Sequence, residues 1–108
     1  MGIDVAVECI ATVEHAVCCE ELTAIGGRRR FDGGCWTLEL ADAVAGARER
    51  RYAFYVLVEG ERIDLVVDER AEGEPYLRPV DPAAEADVLA LPRLGSASRA
   101  YARPVSPR

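Results

Sequence analysis

Residues 3–10 alternate in character. Ile3, Val5, Val7 and Cys9 fall on one side, and Asp4, Ala6, Glu8 and Ile10 on the other. A period of two with β-branched residues predicts a half-buried strand. Residues 20–25, Glu-Glu-Leu-Thr-Ala-Ile, predict a second and shorter strand that ends at Gly26 and Gly27. Residues 28–34, Arg-Arg-Arg-Phe-Asp-Gly-Gly, predict a loop between glycine pairs. After Trp36 the period changes. Leu40, Ala43, Val44 and Ala47 fall at i, i+3, i+4 and i+7, which predicts a helix over residues 40–48. Thr37 or Glu39 can stand at its start. Glu39 and Asp42 lie near its N-terminus and Arg48, Arg50 and Arg51 near its C-terminus. Both placements suit the helix dipole.

Residues 52–67 carry the clearest pattern. Two apolar runs flank Glu59-Gly60 and read as a hairpin. With those two residues as the loop, Val56 faces Ile63, Phe54 faces Leu65 and Tyr52 faces Val67. One face is then wholly apolar. The opposite face pairs Leu57 with Arg62 and Tyr55 with Asp64. A slip of one residue would set apolar against polar along the whole ladder, so the pattern selects this register. Glu59 conflicts with it locally, because the tight turn needs a positive φ.

Residues 71–75 form a turn pattern, and residues 76–78 a short edge strand stopped by Pro79. Residues 82–86 read as a loop or a single helical turn. Residues 88–92, Val-Leu-Ala-Leu-Pro, are apolar enough to pack back on the sheet. From Gly95 onward large apolar residues are scarce, and residues 95–108 are expected to be a flexible C-terminal tail. These elements predict one α+β domain over residues 1–94. It has a mainly antiparallel sheet of four to five strands with one packed helix.

With 108 residues the chain has room for one domain. It contains no lysine, and all 13 basic residues are arginine, against 19 acids. The charge is uneven. Residues 1–94 hold ten arginines and all nineteen acids, a net charge of −9, while the last fourteen residues hold three arginines and no acid. An acidic domain is a poor bulk ligand for nucleic acid. No run of eighteen apolar residues is present, so no membrane span is expected. The first residues lack a basic start and an apolar signal-length run, and the expected compartment is the cytoplasm, where thiols stay reduced.

Candidate chemistry is confined to a few residues. Cys9, His15, Cys18, Cys19 and Cys35 include thiolate and imidazole donors that suit zinc. Their spacing is not that of a common zinc motif, and adjacent Cys18 and Cys19 point to opposite sides of an extended chain. Buried free cysteines are the plainer reading. A cysteine nucleophile would need a base beside it, and His15, the single histidine, stands three residues from Cys18. No phosphate-binding glycine loop and no paired-histidine zinc motif occurs. Arg28-Arg29-Arg30 is a compact basic patch that reads more simply as a solvated loop.

Several blocks in order resemble a family of small bacterial proteins catalogued as domain of unknown function 3892. They are Cys9-Ile10, the segment from Glu20 to Gly27, Trp36, Phe54-Tyr55-Val56, Gly60, the strand from Ile63 to Val67, and the final blocks Pro75-Tyr76-Leu77-Arg78-Pro79, Asp81 and Asp87 to Pro92. The resemblance spans about residues 3 to 94 and implies a fold but no catalytic residues. Cys19 and Ala24 stand where the family has histidines, Pro75 and Pro79 where it has lysine and threonine, and residues 28–35 look like an insertion. The function expected from all this is a non-enzymatic binding or protein-interaction module, acting on a protein partner or by self-association, with no cofactor. The half-apolar hairpin face (Ala53, Tyr55, Leu57, Val66) is its expected contact surface. Two alternatives stand beside it. One is a small zinc-supported domain using Cys9, His15 and Cys18 or Cys19. The other is a cysteine-dependent enzyme using Cys18 or Cys19 with His15.

Overall fold

The alternating stretch at the start of the chain is two strands, not one. In the structure, a computed structural model that describes residues 2–13, 16, 18–28 and 33–94, strand β1 (Ile3–Ala6) and strand β2 (Cys9–Thr12) belong to different sheets. The change happens between consecutive amides. The Val7 N–H donates to the Tyr55 carbonyl at 2.8 Å, and the Glu8 N–H donates to the Gly26 carbonyl at 2.9 Å. Both Val5 and Ile10 are buried, so the inward side chain changes phase at this corner.

Strand β3 (Leu22–Arg28) follows a 3₁₀ turn over Cys19–Glu21, strand β4 (Cys35–Glu39) precedes helix α1 (Leu40–Arg48), and β2, β3 and β4 form a three-stranded antiparallel sheet. Gly26 and Gly27 do not end β3. They lie within it, because the backbone approaches closely there. A Cβ on Gly26 would sit 2.8 Å from the Trp36 carbonyl oxygen, and one on Gly27 would sit 2.9 Å from the Ala6 carbonyl oxygen. Trp36 precedes the helix. It sits in β4, opposite Gly27.

Strands β5 (Tyr52–Val58), β6 (Glu61–Glu69) and β7 (Pro75–Pro79) complete the second sheet, in the order β1-β5-β6-β7. The β5–β6 register pairs Val56 with Ile63 and Leu57 with Arg62, as the hydrophobic pattern requires. The turn takes φ of +52° at Glu59 and +82° at Gly60. Strand β7 is an edge strand, bracketed by prolines that cannot donate to a further neighbour. The β1–β5 pair is parallel, so this sheet is mixed.

The expectation of one mainly antiparallel sheet of four to five strands with one packed helix is therefore corrected. Among the described residues there are seven strands in two sheets, and a five-residue helix α2 (Glu85–Leu89) besides α1. The α+β class stands. Pattern alone assigns strands and leaves open which sheet each one joins. The helix α1 packs on β5, β6 and β7 of one sheet and on β3 and β4 of the other. Its buried residues are Leu40, Ala43, Val44 and Gly46. Between the sheets, Trp36 stacks on Phe54 with ring centroids 6.3 Å apart. At the far side, the Ile10 N–H donates to the Pro92 carbonyl at 3.0 Å, and Leu94 is buried over Gly26. Residues 95–108, the expected tail, lie outside the described residues.

Two local features make predictions of opposite sign to intuition. Helix propensity alone says that Gly46→Ala stabilises by ~1 kcal/mol. The added Cβ would lie 2.5 Å from Cδ2 of Tyr52, within the ring packed on the core. Urea unfolding of Gly46→Ala is expected to show a net loss of about 1–3 kcal/mol from overpacking. The helix end holds the second feature. The Arg51 N–H reaches the Gly46 carbonyl at 2.9 Å and the Arg50 N–H reaches the Ala47 carbonyl at 3.1 Å. This is a Schellman cap with Arg50 at φ +61°, where glycine is preferred. Arg50→Gly should raise stability by ~1 kcal/mol, since a non-glycine residue is disfavoured there by about that much. The same urea titration checks it.

Candidate functional site

A cleft of about 360 Å³ opens beside the edge strand β7. It is lined by Cys18 and Glu20 from the 3₁₀ turn, by Tyr76, Arg78 and Pro79 from β7, and by Pro82 and Glu85 from the start of α2. Three pieces of chain far apart in sequence meet here, and specific contacts hold them. The Cys19 N–H donates to Glu85 Oε2 at 2.7 Å, across 66 residues. Arg70 Nε donates to the Glu20 carbonyl at 2.8 Å and Arg70 Nη1 to the Pro75 carbonyl at 3.2 Å. The same guanidinium lies 5.6 Å from the centroid of the Tyr76 ring. Arg78 Nε donates to Asp68 Oδ2 at 2.7 Å, and its Nη1 donates to the Pro79 carbonyl at 3.1 Å. The Asp81 carboxylate accepts from the Ala83 N–H at 3.0 Å and sets the turn that leads into α2.

The thiols in and behind this cleft are held protonated. Desolvation raises the Cys18 pKa most, the carboxylates of Glu21 and Glu20 add to it, and a backbone hydrogen bond opposes. The Cys18 thiol also donates to Glu21 Oε1 at 3.7 Å. Burial pushes the Cys19 thiol up to about 12, and Glu85 adds to it. Cys19 is fully buried. The Tyr76 phenol is raised by desolvation first and then by Asp68 and Glu20, with Glu85 adding and Arg78 opposing. A cysteine nucleophile needs its pKa lowered, so both shifts run against that chemistry.

Among the described residues, the cysteines singled out in the sequence do not gather into one group. Cys9 sits on β2 facing Gly26, Cys18 lines the cleft, and Cys19 faces the core. None of the four cysteines forms a disulfide. No group of three potential metal ligands comes together among the described residues. His15 lies outside them, as do Arg29 and Arg30 of the basic patch. Arg28 is engaged locally, since Glu8 Oε1 accepts its N–H at 2.8 Å.

The hairpin face differs from its expected form. Arg62 lies 4.3 Å over the Tyr55 ring centroid, donating to Asp64 at 2.8 Å and to Asp4 at 3.2 Å. Leu57 is 57% exposed, but Ala53, Tyr55 and Val66 are half-buried. An ion network thus roofs the aromatic part of that face. No apolar stripe marks the cleft in the sequence, and Glu20, Tyr76, Arg78 and Glu85 read there as ordinary strand and turn residues. The proline bracket around Tyr76 signals an edge strand, and nothing local signals the contact from Glu85 to Cys19.

Comparison of the chain with protein-family models, with curated proteins and with solved structures gives no match in any of the three. No helix among the described residues is long and apolar enough to cross a membrane.

The thiol chemistry is directly testable. Alkylation follows the thiolate fraction, so a raised pKa slows it at any pH below that value. In native protein at pH 8, iodoacetamide should modify Cys18 more slowly than free cysteine, with Cys19 protected until the protein is unfolded. Peptide mapping by mass spectrometry reads both sites. Reaction at Cys18 faster than free cysteine would restore the nucleophile reading.

Proposed function

We propose that this protein is a non-enzymatic binding module that engages a protein partner through the cleft beside β7. The observation that carries the reading is the composition of that cleft. It offers two carboxylates, a guanidinium and the exposed Pro82 beside a thiol whose pKa is raised, over the buried Tyr76 and Pro79. These are groups for recognition, and the one nucleophile among them is not activated. The volume lies at the low end of ligand sites, of the order of a single side chain or small group. Edge strand β7 and the α2 start place these groups at the surface, where a partner segment can reach them. The roofed hairpin face is the weaker surface, because its aromatic ring is already occupied by Arg62.

The net charge of −9 over residues 1–94 disfavours nucleic acid. Self-association is the second form this binding can take.

Charge reversal in the cleft separates a specific partner from background. Glu20 is exposed and its carboxylate has no partner among the described residues, so Glu20→Arg leaves the fold intact. The wild-type chain used as bait in lysate of its host is expected to retain a defined protein that Glu20→Arg loses, or to self-associate in sedimentation velocity in a way that Glu20→Arg abolishes. A monomer that retains the same set of proteins with and without the substitution overturns the proposal.

A further inference from the structure

We infer that the cleft lined by Glu20, Tyr76 and Glu85 receives the guanidinium or ammonium group of a basic side chain on the partner protein. The inference rests on the binding-module reading and adds the chemistry of what is bound. An inventory of donors and acceptors leads to it. The two arginines near the cleft, Arg78 and Arg70, are each held by partners among the described residues. Arg78 donates to Asp68 and to the Pro79 carbonyl, and Arg70 donates to the carbonyls of Glu20 and Pro75 while covering the Tyr76 ring. The acceptors are not committed. Glu20 uses its backbone carbonyl and leaves its carboxylate open, and Glu85 spends Oε2 on the Cys19 N–H and leaves Oε1 open. Two carboxylate oxygens in the lining are therefore open to a donor, while the charge of Arg78 is balanced by Asp68.

The electrostatics agree with the inventory. Cys18 and Tyr76 line the cleft and Cys19 lies buried behind it; desolvation raises the pKa of each most, and neighbouring carboxylates add to it. For Tyr76, Asp68, Glu20 and Glu85 act in one direction and Arg78 alone acts in the other. A phosphate or carboxylate entering the cleft would meet Glu20 and Glu85, while the only lining guanidinium is paired with Asp68. A basic side chain meets the opposite situation. Its charged head reaches two carboxylates, and its methylene stem lies along the exposed Pro82, as long cationic side chains do on apolar surface. The chemistry also fits an acidic domain, whose field steers a basic segment toward it.

The probe is an end-blocked Gly-Arg-Gly peptide, titrated into uniformly ¹⁵N-labelled full chain and followed by amide chemical shifts. Its citrulline counterpart, which keeps the shape and loses the charge, is the control. The arginine peptide should shift the amides of Cys18 to Glu21, Tyr76 and Glu85 as one cluster. The citrulline peptide should bind at least tenfold more weakly. Glu20→Gln should weaken the arginine peptide about fivefold while leaving the remaining spectrum in place. Equal shifts with citrulline, indifference to Glu20→Gln, or shifts of the same cluster by inorganic phosphate would overturn the inference. Spermidine binding there more tightly than the peptide would also overturn it, by moving the source of the cation from a protein to a free polyamine. If the peptide fails while Glu20→Arg still releases a captured protein, the cation assignment falls and the binding module stands. If both fail, both fall.

Discussion

The fold depends on how closely the backbones approach at Gly26 and Gly27. The corner between β1 and β2 and the start of β4 close on this pair from two sides. The Ala6 carbonyl oxygen lies 2.9 Å from where a Cβ on Gly27 would be, and the Trp36 carbonyl oxygen lies 2.8 Å from one on Gly26. Backbone oxygens cannot swing away as a side-chain end can. A side chain on Gly27 would push the two sheets apart at the point where the chain passes from one to the other, and one on Gly26 would press on β4, its neighbour in the same sheet. The amides of Val7 and Glu8 bond to separate sheets only because β3 comes this close. Everything that follows from a two-sheet core rests on it, including the burial of Trp36 against Phe54 and the packing of α1 on both sheets.

This also explains what the sequence pattern reveals and what it hides. Hydrophobic period identifies local structure well where one face is buried and the partner is adjacent. The helix over residues 40–48 and the hairpin register of Val56 with Ile63 follow from such local pattern and are found as read. The pattern fails where tertiary contact changes its meaning. Two glycines in a row normally punctuate a strand, but here they continue it because they are needed for close approach. The stretch 3–10 keeps an apparent period of two across its corner, because Val5, Val7 and Cys9 are all buried though they serve different sheets. Period carries no information on which sheet a strand joins, so seven strands in two layers were not legible as such. The cleft was less legible still. Its defining contact, Glu85 on the Cys19 amide, spans 66 residues, and neither residue type announces it.

The cysteines show the same limit from the chemical side. Sequence proximity of Cys18 and Cys19 to His15 invites metal or nucleophile readings, but adjacency along a chain does not give convergence in space. The 3₁₀ turn sends Cys19 into the core and leaves Cys18 at the cleft wall. Each then experiences a different form of the same environment. Burial dominates for both, and carboxylates from the turn and from α2 reinforce it. A thiol is activated by nearby cations or helix N-termini. Here the nearest ionic groups are acids, and the turn is too short to supply a helix field.

Glu20 and Glu85 line the cleft with open oxygens, and that constrains what the cleft is for. Fold stability does not require an open carboxylate at Glu20, which bonds through its backbone, nor a second oxygen on Glu85 beyond the one that accepts from Cys19. A purely structural arrangement would satisfy them with the arginines at hand. Instead Arg70 is spent on carbonyls and on the Tyr76 ring, and Arg78 is spent on Asp68, outside the lining. The cleft walls are thus fixed by cations whose described partners are other than its open anions. Preorganised carboxylates that remain unpaired favour a ligand of opposite charge. Architecture and electrostatics converge here: the contacts that rigidify the cleft are the same ones that leave its acceptors unsatisfied.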